Sequence, residues 1–380
     1  MNISFQFIIL MGIVSLLGDV VYEGGRSVVG PYLHLLGASS LAVGIIAGLG
    51  EFLGYTIRIL SGYVVDKTAL YWPMTTVGYA MLGFIPLAAL PNSWQFVGAF
   101  FIMERIGKGI RTPARDTLLS YATRDIGRGR GFGLHEALDQ IGAIGGPFIF
   151  STTFFLGYGY KKGFAVLGIP AVLCMFFLTI AKRRLPNPKS LEAEKGREEK
   201  SLPKIFWIYC IFISISILGF SNFQLISFHL KHYSIISDKD IPIFYAIAMG
   251  VDAISAIFIG RFYDKKGLSC LIIIPMLTFF IPLLAFSKSP FLVLISMFIW
   301  GTVMGAHETI MRAAVADIVG PKKRGIGYGL FNTIYGFSFF LSSSIMGYIY
   351  AFSTMYLVLF CISMQLLSIL FFIWLRTNFF

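Results

Sequence analysis

Charge is scarce in this chain. Asp, Glu, Lys and Arg together make up 13% of its 380 residues, about half of what the surface of a soluble domain needs. That excludes a water-soluble globular protein of ordinary composition. Cysteine is scarcer still. Cys174, Cys210, Cys270 and Cys361 each lie inside an apolar run, with no C-x-x-C spacing and no histidine at zinc-site distance. A disulfide framework and a zinc module are thereby excluded, and the four thiols read as small buried hydrophobes. No G-x-x-x-x-G-K-[ST] phosphate loop occurs, which argues against an ATP-driven pump. Residues 1–7 lack a basic n-region, and the first apolar run continues into a charged motif without a small-residue cleavage site. A retained first helix is therefore expected instead of a cleaved leader.

What is present in quantity is apolar surface. Hydrophobic residues are 56% of the chain, 38 of them Phe, and the mean hydropathy is +0.77. Apolar runs near 5–36, 41–65, 72–90, 94–111, 131–156 and 163–181 precede a break, and runs near 205–230, 241–262, 268–286, 290–315, 326–351 and 355–375 follow it. Most approach or exceed the ~20 residues that a helix needs to cross a bilayer core. The third and fourth runs are the least regular, since Pro86, Pro91 and a dense charge run interrupt them. The break opens with Lys182, Arg183 and Arg184 and continues through Pro186, Pro188 and a Glu/Lys-rich stretch, the composition of a solvated linker. The expected organisation is a six-helix half over 1–184, a cytoplasmic linker over 185–203 and a second six-helix half over 204–380.

The net charge of +12 would suggest nucleic acid on a soluble protein. Its placement along the chain points to membrane topology instead. One set of loops holds Lys67, then Arg124, Arg128 and Arg130, the basic residues of 182–204, Arg261, Lys265 and Lys266, Lys322 to Arg324, and Arg376. The opposite set holds Lys161, Lys162, Lys231, Lys239 and Lys288. By the positive-inside rule both termini are expected in the cytoplasm, with the chain in the cytoplasmic (inner) membrane, in contact with lipid and with no nucleic acid as partner.

The two halves repeat. Gly62-Tyr-Val-Val-Asp66-Lys67 follows the second run, and Gly260-Arg-Phe-Tyr-Asp264-Lys265 follows the eighth. Arg128-Gly-Arg-Gly-Phe-Gly-Leu134 opens the fifth, and Arg324-Gly-Ile-Gly-Tyr-Gly-Leu330 opens the eleventh, at nearly the same offset. Parallel duplicated helix bundles produce this pattern.

These residues resemble the major facilitator superfamily, whose members carry twelve helices in two six-helix halves and a Gly-x-x-x-Asp-Arg/Lys-x-Gly-Arg-Arg loop after the second helix. The resemblance covers the whole chain. The first copy keeps Gly62, Asp66 and Lys67 but has Ala69, Leu70 and Tyr71 where a glycine and two basic residues are usual. The second keeps Gly260, Asp264, Lys265 and Gly267 and also lacks the basic pair. Arg105-Ile-Gly-Lys-Gly109 resembles the family's Arg-x-x-x-Gly element of the fourth helix. Gly142-Ala-Ile-Gly-Gly146-Pro147 resembles the Gly-x-x-x-Gly-Pro element of the fifth, associated with antiporter-type exporters; Ser338 and Ser342 stand at the equivalent places of the second half. The same glycines also suit plain close helix packing. The resemblance implies an all-α integral membrane protein of two pseudo-symmetric bundles.

Ionisable groups inside apolar runs are costly, by about 2.5–3.5 kcal/mol each on insertion scales, and are functional candidates by default. Asp19, Glu23 and Arg26 fall on one helical face of the first run, and Glu51 and Arg58 lie seven apart in the second. Glu104, Lys108, Arg111 and Arg115 form a stripe in the fourth, beside Arg105 and Asp116. His135, Glu136, Asp139 and Gln140 group in the fifth. The second half is thinner, with Asn222, Gln224 and His229, then Asp252, then His307, Glu308 and Arg312, and Asn332. Substrate or proton binding is expected of Asp19, Glu23, Arg26, Glu51, Arg58, Arg111, His135, Glu136, Asp139, Asn222, His307, Glu308 and Asn332. Gating is expected of Gly62, Asp66, Lys67, Arg105, Asp116, Gly142, Gly146, Pro147, Gly260, Asp264 and Lys265, with Asp66 and Asp264 capping or opposing helix N-termini.

The function expected is secondary active transport of a small solute by alternating access, with protons as the coupling ion, no cofactor and no metal, and the chain acting as a monomer. Export of a drug-like or amphiphilic compound follows from the fifth-run glycine–proline element. Uptake or exchange of a small organic anion follows from Arg26, Arg58 and Arg111. A membrane enzyme built on His135-Glu136 or His307-Glu308 lacks an H-E-x-x-H and a third ligand. A receptor or scaffold that transports nothing is the remaining class, and it should tolerate loss of the buried charges.

Overall fold

The computed structural model describes residues 3–122, 128–184, 202–320 and 324–379. All regular structure among them is helical. The order is α1 (Ile3–Leu35), α2 (Ser40–Thr68), α3 (Tyr71–Ala80), α4 (Phe84–Leu87), α5 (Trp94–Ala122), α6 (Arg128–Phe155), α7 (Tyr160–Val166) and α8 (Gly168–Arg184) in the first half. The second half has α9 (Lys204–Leu218), α10 (Phe223–His232), α11 (Ile241–Lys266), α12 (Ile273–Thr278), α13 (Phe280–Ala285), α14 (Pro290–Ile318), α15 (Arg324–Phe352) and α16 (Thr354–Phe379). The expected linker lies outside the described residues over 185–201, as do Arg124, Lys322 and Lys323.

The helices fall on the twelve apolar runs, and four runs are each divided between two helices. The divisions have local causes. Pro275 and Pro282 punctuate the ninth run, whose start is a 3₁₀ stretch over Gly267–Ile272, and Pro86 sits in α4. Proline removes a backbone donor and crowds the preceding turn. The seventh run breaks at Gly219 to Asn222, where Asn222 is the N-cap of α10 and its side chain accepts from the Leu225 N–H. After α1 and α6, Gly37 (φ +87°) and Gly157 (φ +78°) take the left-handed conformation that ends a helix without a Cβ clash.

Among the described residues seven helical stretches are long and apolar enough to cross a membrane, including Phe5–Leu35, Tyr160–Arg184 and Pro290–Ile318. The charges of α5 and α6 dilute the hydropathy of those two helices, although each is about 28 residues long. The chain is a multi-pass membrane protein.

Two compact units form. The first comprises Met1–Leu36, Leu53–Glu194 and Asp238–Ala246; the second comprises Gly37–Phe52, Lys195–Ser237 and Ile247–Phe380. The opening of α2 thus packs with the second unit and the opening of α11 with the first. In the second unit, Gly44 and Gly48 of α2 lie against the backbone of Ser343 and Phe340 on α15, Gly347 lies against Ser40, and the Ser40 hydroxyl donates to the Gly347 carbonyl at 2.8 Å. Where lipid tails are as apolar as the side chains, close backbone approach at small residues is what holds helices together.

Candidate functional site

The site is built on the α1–α6 contact in the first unit. A Cβ on Gly142 would collide with the Leu16 carbonyl. One on Gly146 would lie 2.5 Å from the Val20 carbonyl and 2.7 Å from the Gly24 nitrogen, and Gly24 in turn faces the Gly146 carbonyl. The glycines of the fifth run are therefore occupied in backbone-to-backbone packing, with Pro147 one step beyond. That approach sets Asp19 of α1 and Asp139 of α6 within electrostatic reach of each other. Lys108 and Arg111 of α5 and Glu23 of α1 also act on Asp19. Asp139 Oδ1, His135 Nε2 and Gln140 Oε1 are buried without a hydrogen-bond partner among the described residues. Glu136 is exposed and does not join this buried group.

The α5 stripe resolves into three separate arrangements. Glu104 and Arg111 pair with each other at 3.2 Å, both almost fully buried, and Arg111 also donates to the Gly78 carbonyl at 3.1 Å and lies over the Tyr79 ring. Gly78 and Gly107 permit this by letting α3 approach α5 at backbone distance. Arg115 pairs with Asp116 at 2.9 Å and donates to the Ser15 hydroxyl at 3.1 Å. Between these, Arg105 and Lys108 both turn to Tyr22, with the guanidinium carbon 3.7 Å and the ammonium 4.5 Å from the ring centroid.

Glu23 is a junction. It pairs with Arg26 at 3.7 Å and accepts from the Tyr245 hydroxyl at 2.5 Å. Arg26 also lies 5.8 Å from the Tyr22 ring centroid. Arg58 lies over the Tyr55 ring at 4.8 Å, and both Arg58 and Glu51 are half-buried.

In the second unit Asn222 caps α10 and donates to the Ser343 hydroxyl at 2.9 Å. His307 shares a hydrogen bond between Nδ1 and the Tyr335 hydroxyl at 3.2 Å and lies edge-on to Phe220, which stacks on Trp300. Asn332 is half-buried and Glu308 exposed. The sequence neighbours His307 and Glu308 therefore do not form a joint buried pair.

Of the gating set, Asp66, Lys67, Asp264 and Lys265 are exposed at the ends of α2 and α11. Neither α3 nor the 3₁₀ stretch after α11 has a side-chain cap; their N-cap residues are Leu70 and Lys266. Gly62 faces Pro113 at ordinary contact distance, and among the described residues a Cβ on Gly260 would meet no atom of another helix within 4 Å. Among the described residues no group of three or more His, Cys, Asp and Glu could hold a metal ion.

Sequence reasoning overlooked the tyrosines. Tyr22, Tyr79 and Tyr245 counted as apolar, yet each meets a buried charge. Tyr22 could have been found from its position, three residues after Asp19 and beside Glu23 on α1.

Two charged helices meeting through glycine, in a chain of duplicated helical halves, match a known family across most of the length. The model of the Major Facilitator Superfamily matches residues 15–343 and 244–378. The chain belongs to the major facilitator superfamily. A protein of Mycobacterium tuberculosis (strain ATCC 25618 / H37Rv), described as uncharacterized, is 36% identical over 375 residues, covering 96% of this chain and 92% of its own. An uncharacterized MFS-type transporter of Methanocaldococcus jannaschii is 26% identical over 355 residues, covering 90% and 88%. Among solved structures, a point mutant of the nucleoside transporter NupG superposes with a TM-score of 0.80 at 15% identity, covering 97% of this chain and 99% of that one. A POT family transporter in complex with a thioalcohol-conjugated peptide gives 0.77 at 13%, covering 98% and 96%. These superfamily structures share the fold of this chain; one fold serves many solutes.

Proposed function

We propose that this superfamily member is a proton-coupled secondary transporter of a small solute, working by alternating access in the cytoplasmic membrane with both termini inside. Its halves over 1–184 and 204–380 are joined by the linker 185–203, and the monomer is the working unit. The observation that carries the reading is the glycine-mediated α1–α6 contact, which gathers Asp19 and Glu23 of α1 with Asp139 of α6, whose Oδ1 is buried without a hydrogen-bond partner among the described residues. Two carboxylates in a poorly hydrated place repel, and one shared proton removes the repulsion. Gain and loss of that proton is the charge change that a conformational cycle can use.

Of the two solute classes, the small organic anion has more structural support. The fifth-run glycines, which suggested export of an amphiphile, are accounted for by packing against Leu16, Val20 and Gly24. The cations remain, although Arg26 and Arg111 are already paired with Glu23 and Glu104. Proteoliposomes containing a pH dye and given gradients of organic acids test the proposal. Solute-dependent proton movement that disappears in Asp139→Asn supports it. Solute movement without proton movement overturns it.

A further inference from the structure

Arg105, Lys108 and Arg26 all lie within 5.8 Å of one tyrosine ring, that of Tyr22. A ring quadrupole attracts a cation by about 0.5–2 kcal/mol, which does not explain gathering like charges that repel one another at the same place. Arg26 is answered by Glu23, and the carboxylate acting most strongly on Lys108 is Asp19. The Tyr22 hydroxyl is a second, independent sign. The residue is 2% exposed, and this oxygen has no hydrogen-bond partner among the described residues. A buried hydroxyl left unsatisfied costs about 1–3 kcal/mol, and an acceptor brought by a bound solute would remove that cost. Lys108 is half-buried.

We propose that Lys108 and the Tyr22 hydroxyl form the binding site for the acidic group of a singly charged organic acid, with Arg105 beside them, and that Asp19 competes with that acid for Lys108. The inference rests on the proton-coupled reading above and adds the solute class and the site. Asp19 is faced by Glu23 on its own helix, by Lys108, Arg105 and Arg111 from α5, by Asp139 from α6 and by Cys174 from α8. Among these Asp19 is the principal counter-charge of Lys108. A proton on Asp19 releases the ammonium to an incoming carboxylate; departure of the proton drives the carboxylate off. By reciprocity the acid must favour the protonated form equally. Proton and anion then bind together, and their net charge is zero.

The test measures melting of the purified full chain in detergent with acetate, lactate, benzoate and benzenesulfonate, each beside its amide or sulfonamide, at about pH 5.5 and about pH 7.5, where these acids are ionised. At least one acid should stabilise the protein, more at the lower pH, and no amide should match it. Its apparent affinity should fall about tenfold or more in Lys108→Gln, fall less in Lys108→Arg, and fall in Tyr22→Phe, which keeps the ring. Asp19→Asn should bind the acid equally at both pH values. Stabilisation by none of the acids, equal effects of acids and amides, or undiminished acid binding in both Lys108→Gln and Tyr22→Phe would overturn the site. Acid binding that depends on Lys108 but not on pH keeps the site and defeats the proton coupling. Proton-coupled flux without acid binding does the reverse.

Discussion

Gly142 of α6 lies directly against the main-chain carbonyl of Leu16 on α1, and Asp139 and Asp19 each stand three residues from this contact on their own helices. A methyl group at Gly142 has nowhere to go, because the neighbour is backbone and not a flexible side chain. Gly142→Ala should therefore destabilise the protein by about 1–3 kcal/mol, as overpacking does, and should weaken proton coupling by spreading the two carboxylates. Gly145→Ala is the control, since its Cβ would meet only a Val20 methyl at 4.0 Å. Thermal unfolding in detergent and proton flux in vesicles read the two effects separately.

The Glu104–Arg111 pair gives a prediction about order of removal. Arg111→Met leaves Glu104 as a buried charge without its cation and should cost about 3–5 kcal/mol, whereas replacing both partners with apolar residues should cost far less. A double-mutant cycle on melting temperature checks this. Equal losses in the single and double variants would mean that the pair is not the unit.

Asn222 serves two neighbours at once. Asn222→Ala removes the cap of α10 and should cost about 1 kcal/mol, or somewhat more with the lost bond to Ser343. Asn222→Asp keeps an acceptor for the Leu225 N–H while losing the donor to Ser343, and should recover part of the stability.

Tyr245→Phe deletes the hydrogen bond to Glu23 and leaves Arg26 as the partner of that carboxylate. The expected loss is about 1.5–3 kcal/mol, the range for a bond to a charged group. It is read by thermal unfolding.

The twelve runs and their duplication were legible because apolar length and repeated motifs survive in one dimension. The division of the seventh run was not, because Gly219 and Asn222 interrupt hydropathy by very little, while Asn222 changes the backbone by capping a new helix. The charge-bearing helices of the first half were likewise legible. Which charge meets which partner was not. Glu104, Lys108, Arg111 and Arg115 share a stripe by spacing, yet Arg111 answers Glu104, Arg115 answers Asp116 and Lys108 turns to Tyr22. Helix rotation and the depth of approach decide those pairings, and both are set by Gly78, Gly107, Gly142 and Gly146 across helices. Spacing also grouped Glu136 with His135 and Glu308 with His307, although one of each pair is buried and the other exposed.

The central claim, a proton shared between Asp19 and Asp139, is tested most directly by infrared titration of the reconstituted protein, following the carbonyl stretch of protonated carboxyl groups. The account predicts a band that appears as pH falls and is lost or displaced in both Asp19→Asn and Asp139→Asn. A band unchanged in both variants, or none in the unmodified protein, would contradict it.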